Sequence, residues 1–436
     1  MKVRKCVSLA WHLWRMRHMH VQQGELMNLA EVKRTRNLYL VVSTVALAVF
    51  GLIYAWSIFA TPLSTEFGWD RGALQNTFNI VLICFCIAQL VGGIIVGRLG
   101  SRNTLLLAGV LALAGFGGTA LFADISLWGI YVSYGVLGGF GGGMSYIVVI
   151  SGANSWFPDK IGFSSGVLMM GAGLGSLVFG TPLGMLADAI GVRGAFVVLA
   201  VVTFAVSVFM AFFLKSAPAD IGAIVSRPGA VAVNESAYEN DNPLTTPVFY
   251  VYFAWAVLCI SVGVTLIGGS KQGALVVGVE DVVATFVVGL VSTMNGLGRF
   301  VFGTLFDKLG LRKTMIASSA VTLVAAAGLA FSYASSASAV YIVSALLVGL
   351  GYGAIPVIAS GFVRERFGGK NYARNLGLVN LSAALASFLG IGMVALSSPD
   401  GASTNLPVWV AFTVIAALAL ACCIAFYIVY RKPAQE

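Results

Sequence analysis

Arg299 is the residue of this 436-residue chain whose type and position most call for a chemical reason. It stands in a long apolar run, past its middle, and no Asp or Glu lies at a comparable depth in any such run. A charge in hydrocarbon costs roughly 2.5–3.5 kcal/mol on insertion scales, so an arginine there is a functional hypothesis by default. The guanidinium is a permanent cation with a planar fork of donors, the geometry that grips a carboxylate bidentately. The competing reading spends that fork on backbone carbonyls near one mouth of the molecule.

Other residues could share the work. Lys271 closes the seventh apolar run, where its stem can carry the ammonium out to water or hold it as an attractor for anions. Tyr54, Trp56, Tyr134, Tyr146 and Tyr352 each bring an apolar face and a donor, suited to packing or to flanking the carbon skeleton of an amphipathic anion. Asn79, Asn295 and Asn380 are mid-run amides that can meet a ligand or bond across helices. No His, Asp or Glu lies inside the runs, so the usual built-in proton carriers are missing and exchange or uniport is favoured.

Catalysis would need a positioned acid, base, nucleophile or metal cluster, and the sequence offers no such set. The glycines around Gly139 and Gly141 mimic phosphate-loop spacing only superficially, because they lie in an apolar run with no preceding strand. Five of the six cysteines (Cys84, Cys86, Cys259, Cys422 and Cys423) sit in apolar runs without metal-ligand spacing and read as small fillers; the sixth is Cys6. The expectation is no enzyme, no metal and no cofactor.

The elements that must position Arg299 follow from composition. Apolar residues make up 58% of the chain and charged residues 10%, against roughly 25% charged in an ordinary soluble domain. Such a chain presents apolar side chains to lipid, where helices satisfy every backbone polar group internally. About 20 residues cross the hydrocarbon, and twelve runs are long enough. They lie near 38–62, 73–97, 103–122, 126–150, 163–187, 192–214, 247–270, 283–305, 314–332, 338–361, 373–397 and 407–430, numbered here as spans 1 to 12. The runs exceed what a barrel strand needs.

Of the 26 basic residues, 22 precede span 1, follow span 12, fall in the loops after even-numbered spans or, as Arg374 does, sit in the first turn after such a loop. Lys and Arg favour cytoplasmic loops, so both termini are expected in the cytoplasm. The net charge of +9 is therefore topological, with no basic groove for nucleic acid. Residues 1–36 have no long apolar core or cleavage site and are not a signal peptide; Met27 opens a short basic lead of its own and is a second candidate start. The polar stretch 215–246 divides six runs from six.

The chain repeats itself at an offset near 210 residues. Gly303-Thr-Leu-Phe-Asp307-Lys308-Leu-Gly310-Leu-Arg312-Lys313 after span 8 matches Gly93-Ile-Ile-Val-Gly97-Arg98-Leu-Gly100-Ser-Arg102 after span 2. Gly166 aligns with Gly377, and Gly138 with Gly349. This loop pair resembles the signature of the major facilitator superfamily, from span 1 to span 12. More narrowly, Tyr54-Ala-Trp56-Ser57, Trp156-Phe157-Pro158-Asp159-Lys160 and Asn295-Gly-Leu-Gly-Arg299 resemble the oxalate:formate antiporter family and its monocarboxylate-transporter relatives.

That resemblance implies a substrate-anion role for Arg299. It also implies a latch on the cytoplasmic side, in which Asp307 bonds a neighbouring helix N-terminus and Arg98, Arg102, Arg312 and Lys313 tie helix ends together. Gly97 stands where the first copy should have its acid, so the latch is expected to be one-sided. The antiporter pattern also has a lysine in span 11, where this chain reads Asn375-Leu-Gly-Leu-Val-Asn380-Leu-Ser382-Ala383-Ala. One buried cation favours a monocarboxylate or a larger anion over oxalate.

The resulting expectation is an all-α integral membrane protein of twelve transmembrane helices in two six-helix bundles. Its parts are a cytoplasmic segment 1–37, a bundle 38–214, a linker 215–246, a bundle 247–430 and a tail 431–436. It is expected to be a monomeric, multi-pass protein of the cell membrane that carries a small organic anion through the bilayer by alternating access. Two alternatives stay open: a larger, bile-acid-like anion, and proton-coupled monocarboxylate symport using the ligand's own proton.

Overall fold

The computed structural model describes residues 29–218, 221–225, 242–398 and 404–430. Most of the N-terminal segment, much of the linker and the tail after Tyr430 lie outside the described residues. Within them there is no strand, and ten helices are long and apolar enough to cross a membrane. Ten helices supply twelve spans because two of them fold back at a glycine. Arg71–Phe122, spans 2 and 3, breaks at Gly100 (φ 75°), and Ile161–Phe213, spans 5 and 6, breaks at Gly191 (φ 77°).

Span 1 joins Leu29–Phe50, a 3-10 stretch Gly51–Ala55 and Trp56–Phe67. Span 4 joins Leu127–Ile130, a π-helical Tyr131–Gly138 and Gly139–Asn154. Spans 7 to 12 are Pro247–Val276, Asp281–Leu309, Leu311–Ser335, Ser338–Phe367, Tyr372–Ser397 and Leu406–Val429. Several outrun their apolar runs. Hydropathy marks the hydrocarbon, whereas hydrogen bonding carries a helix on through polar residues until a cap or a glycine stops it. Residues 29–37, which the sequence assigns to a separate leading segment, are thus the first turns of span 1.

The repeat is visible as packing. Gly139 lies so close to span 2 that a Cβ would stand 3.0 Å from the Val81 carbonyl, and a Cβ on Gly349 would stand 2.6 Å from the Val291 carbonyl of span 8. One turn on, Gly143 faces the Phe85 carbonyl and Gly353 the Asn295 carbonyl, again with no room for a side chain. All four pairs share an offset of 210 residues. The counterpart of Gly349 is therefore Gly139, one residue beyond the Gly138 that sequence alignment selects. Small residues let helix backbones approach where lipid gives no hydrophobic drive to associate.

The two halves meet along spans 2 and 11 and along spans 5 and 8. A side chain at Gly303 would collide with the Gly162 carbonyl of span 5, and its counterpart Gly93 lies against the Ala373 carbonyl, 2.5 Å from where a Cβ would be. These approaches lie toward the Lys- and Arg-rich loops.

Candidate anion site and the closure beneath it

Span 8 carries Arg299 to the interface between the halves. Its Nη1 donates to the Met169 carbonyl of span 5, and Gly173 lies alongside, where a Cβ would be 3.1 Å from Nη1. Arg299 makes no ion pair among the described residues, and its Nε is buried without a hydrogen-bond partner. The backbone-carbonyl reading thus accounts for one donor of the fork and leaves the charge uncompensated.

Tyr146 of span 4 and Tyr352 of span 10 lie within electrostatic reach of the guanidinium, and the Cys86 thiol of span 2 within reach of both tyrosines. Neither tyrosine hydroxyl has a hydrogen-bond partner among the described residues. Tyr352 presses its ring on Gly263 of span 7, where a Cβ would stand 2.5 Å from Cδ2, and Tyr146 meets Phe85 with ring centroids 5.3 Å apart. Asn295, one turn before Arg299, has a buried Oδ1 without a partner. Arg299, Asn295, Tyr146 and Tyr352, drawn from three spans, are the sequence candidates that the fold brings together.

The remaining candidates go elsewhere. Trp56 is 2% exposed and donates Nε1 to the Leu74 carbonyl at 2.9 Å, and Tyr134, fully buried, donates to the Ile53 carbonyl at 3.0 Å. Their rings pack together at 4.5 Å, so both are interior struts of the first half. Tyr54 belongs to the 3-10 stretch of span 1, and its side chain lies outside the described ones. Lys271 pairs with Asp281 at 2.9 Å on the surface, which removes much of its value as an anion attractor. Asn380 donates Nδ2 to Gln89 Oε1 at 2.6 Å, joining spans 11 and 2.

Toward the basic loops the interface closes. Asp307 accepts from the Gly162 and Phe163 amides at 2.8 and 2.7 Å. Span 5 has no side-chain cap from its own N-cap residue, Lys160, so Asp307 caps it from the other half. Span 11 likewise lacks a side-chain cap, and Gly97, which holds the matching place, supplies none. Arg312 reaches the Tyr430 carbonyl at the end of span 12 and lies 4.4 Å from the Tyr427 ring centroid, while Arg102 lies 4.2 Å from that of Phe212 in span 6. Each arginine ties helices within its own half. Arg98 and Lys313 are exposed.

A second closure contact has no signature in the sequence. Asn154 donates Nδ2 to Ser165 Oγ at 2.8 Å and to Tyr372 Oη at 3.1 Å, and its Oδ1 accepts from Ser164 Oγ at 2.7 Å. Ser360 joins Tyr372 and Ser165, so one buried network links spans 4, 5, 10 and 11.

The sequence model of the Major Facilitator Superfamily matches residues 41–391 and 274–436. The chain belongs to the major facilitator superfamily. Its fold is accordingly that of a membrane transporter, not an enzyme. The carrier is 26% identical over 356 residues to the uncharacterized MFS-type transporter YhjX of Escherichia coli K12, covering 81% of this chain and 86% of that one. It is 27% identical over 358 residues to the oxalate:formate antiporter of Oxalobacter formigenes, covering 82% and 84%. Among solved structures, the proton:xylose symporter XylE superposes with a TM-score of 0.69 at 14% identity, covering 90% of this chain and 96% of that one.

Of the residues that shape this carrier's interface, Gln89, Cys86, Asn154, Ser165 and Ser360 escape a reading for charge and aromatics, and Tyr372 escapes it by standing one residue before the apolar run of span 11. Gln89 alone has a usable signal, since it stands 210 residues before Arg299.

Proposed function

We propose that this carrier moves a small organic anion across the cell membrane by alternating access, gripping a carboxylate at Arg299, as an exchanger or uniporter with both termini cytoplasmic. The observation that carries the reading is a guanidinium at the interface of the halves, without an acidic partner among the described residues and beside two tyrosine hydroxyls without partners. A carboxylate supplies the missing counter-charge and accepts from the fork and the hydroxyls together. The 27% identical Oxalobacter formigenes protein is an oxalate:formate antiporter, which supports an anion substrate. Asn380 is neutral and engaged with Gln89, so position 380 offers no second cation opposite Arg299, which favours a monocarboxylate over a dianion.

Uptake of labelled formate, lactate, oxalate and cholate into proteoliposomes tests this reading. One of these carboxylates should accumulate, and Arg299→Gln should weaken its binding about ten- to hundredfold, the loss of roughly 1.5–3 kcal/mol expected for a charge-assisted hydrogen bond. Arg299→Lys keeps the charge without the fork and should fail in part. Unchanged affinity in a folded Arg299→Gln protein would remove the main support. For orientation, a single cysteine at Ser336 should label from outside and one at Ser226 only after permeabilisation.

A further inference from the structure

Arg299 spans the boundary that must part if the site is to open toward the basic loops. Within span 5 the Met169 carbonyl accepts the amide of Gly173, four residues on, so the guanidinium takes that carbonyl's second lone pair. Gly173 is what lets it approach: a Cβ there would lie 3.1 Å from Nη1 and 3.4 Å from Cζ. The equivalent contact in the other pair of spans is neutral, from Asn380 to Gln89 at 2.6 Å.

We propose that the Arg299–Met169 bond is a strut that keeps the empty carrier shut on the basic-loop side, and that an arriving carboxylate releases it by taking the guanidinium from Met169. This rests on the reading of Arg299 as the carboxylate ligand. A bidentate, charge-assisted pair is stronger than a bond to a neutral carbonyl, so the anion wins the exchange of partners. The binding energy is thereby delivered to the interface between spans 5 and 8. An empty carrier keeps its strut and reorients slowly; a loaded one does not, which favours exchange over net flux. Gly173 acts through Arg299 and is a positioning residue.

The test uses the full chain, cysteine-free apart from spin labels at the exposed positions Lys160 and Leu309, in lipid nanodiscs, with acetate as the anion. Distances measured by pulsed electron paramagnetic resonance should be short in the empty protein and gain a longer population in saturating acetate. Arg299→Gln should raise that longer population about tenfold or more without acetate, and acetate should then add nothing. Gly173→Ala, which makes the guanidinium give by a few tenths of an ångström and so strains its bond to Met169, should shift the empty protein in the same direction by a smaller amount. If both variants when empty match the wild-type distances, the strut is overturned, whatever acetate does. If the variants open but acetate leaves the wild type unmoved, the strut stands and the carboxylate assignment falls. Should Arg299→Gln not fold, Gly173→Ala decides alone.

Discussion

Gln89 and Arg299 are counterparts in the two halves, 210 residues apart, and the carbonyl of each lies 2.6 Å from where a Cβ would project on a glycine of the facing half, Gly377 and Gly166 respectively. The backbone geometry is symmetric and the chemistry is not. Gln89 is neutral and bonded to Asn380, whereas Arg299 is charged and bonded to a backbone carbonyl. A duplicated scaffold thus presents one polar pair and one cation to the same boundary, an asymmetry of side chains on a symmetric backbone.

The same symmetry predicts paired effects on stability. Gly143 faces the Phe85 carbonyl and Gly353 the Asn295 carbonyl, and a methyl at either would drive into backbone that cannot swing aside. Overpacking of this kind costs about 1–3 kcal/mol. Gly143→Ala and Gly353→Ala should each lower the thermal midpoint in detergent. Gly97→Ala, with no atom within 4 Å of its Cβ position, should not. A wild-type melt for Gly143→Ala would contradict the packing described for span 4.

Asp307 and Gly97 make an asymmetric pair. The Asp307 carboxylate holds two amides at the start of span 5, and an N-terminal cap is typically worth about 1 kcal/mol. Because cap and helix belong to different halves, Asp307→Asn should weaken closure and change the exchange rate. Gly97→Asp, placed in open space, should change it little. Equal effects from the two variants, measured as exchange in proteoliposomes, would mean that the latch is not one-sided.

How far the sequence reaches can be judged from particular residues. Apolar length and the repeat suffice to read the spans, because hydrocarbon thickness dictates length and duplication is written in register. Arg299 is legible because a charge in an apolar run has few explanations. Trp56 and Tyr134 are not, since type alone cannot say whether a ring faces a cavity or, as here, the Leu74 and Ile53 carbonyls. The Asn154 network is invisible for a related reason: Asn, Ser and Tyr are common in such helices, and their meeting depends on four spans converging.

Lys271 should matter far less than its charge implies. Its ammonium and the Asp281 carboxylate are 45% and 67% exposed, and pairs of that kind contribute roughly 0–1 kcal/mol. Lys271→Gln should therefore shift substrate affinity within about fivefold, with a salt dependence close to that of the wild type. A loss matching that of Arg299→Gln would place Lys271 in the binding site after all.

The Asn154 network should bias which side of the carrier is open. Asn154 is 2% exposed, Ser164, Ser165 and Ser360 are fully buried and Tyr372 is 5% exposed, so the network has no water to fall back on while the halves touch. Asn154→Leu keeps the volume but removes the amide that bridges Ser164 and Ser165 to Tyr372, leaving Ser165 and Tyr372 only their bonds through Ser360 and Ser164 only the Ile161 carbonyl, a loss of about 1–3 kcal/mol. That penalty exists only in the closed arrangement, because opening lets water reach the same hydroxyls. The equilibrium should therefore move toward opening on the basic-loop side by about 5- to 150-fold. A single cysteine at Ala373, buried where span 11 meets Gly93, reports the change: an impermeant maleimide added on that side should label it in Asn154→Leu and spare it in the parent. Ser155→Ala is the control, since among the described residues the Ser155 hydroxyl meets no group of the other half: it donates to the Gly152 carbonyl at 2.7 Å and accepts from the Ala217 amide at 3.4 Å. If Ala373→Cys stays unreactive in a normally melting Asn154→Leu protein, the network does not belong to the closure.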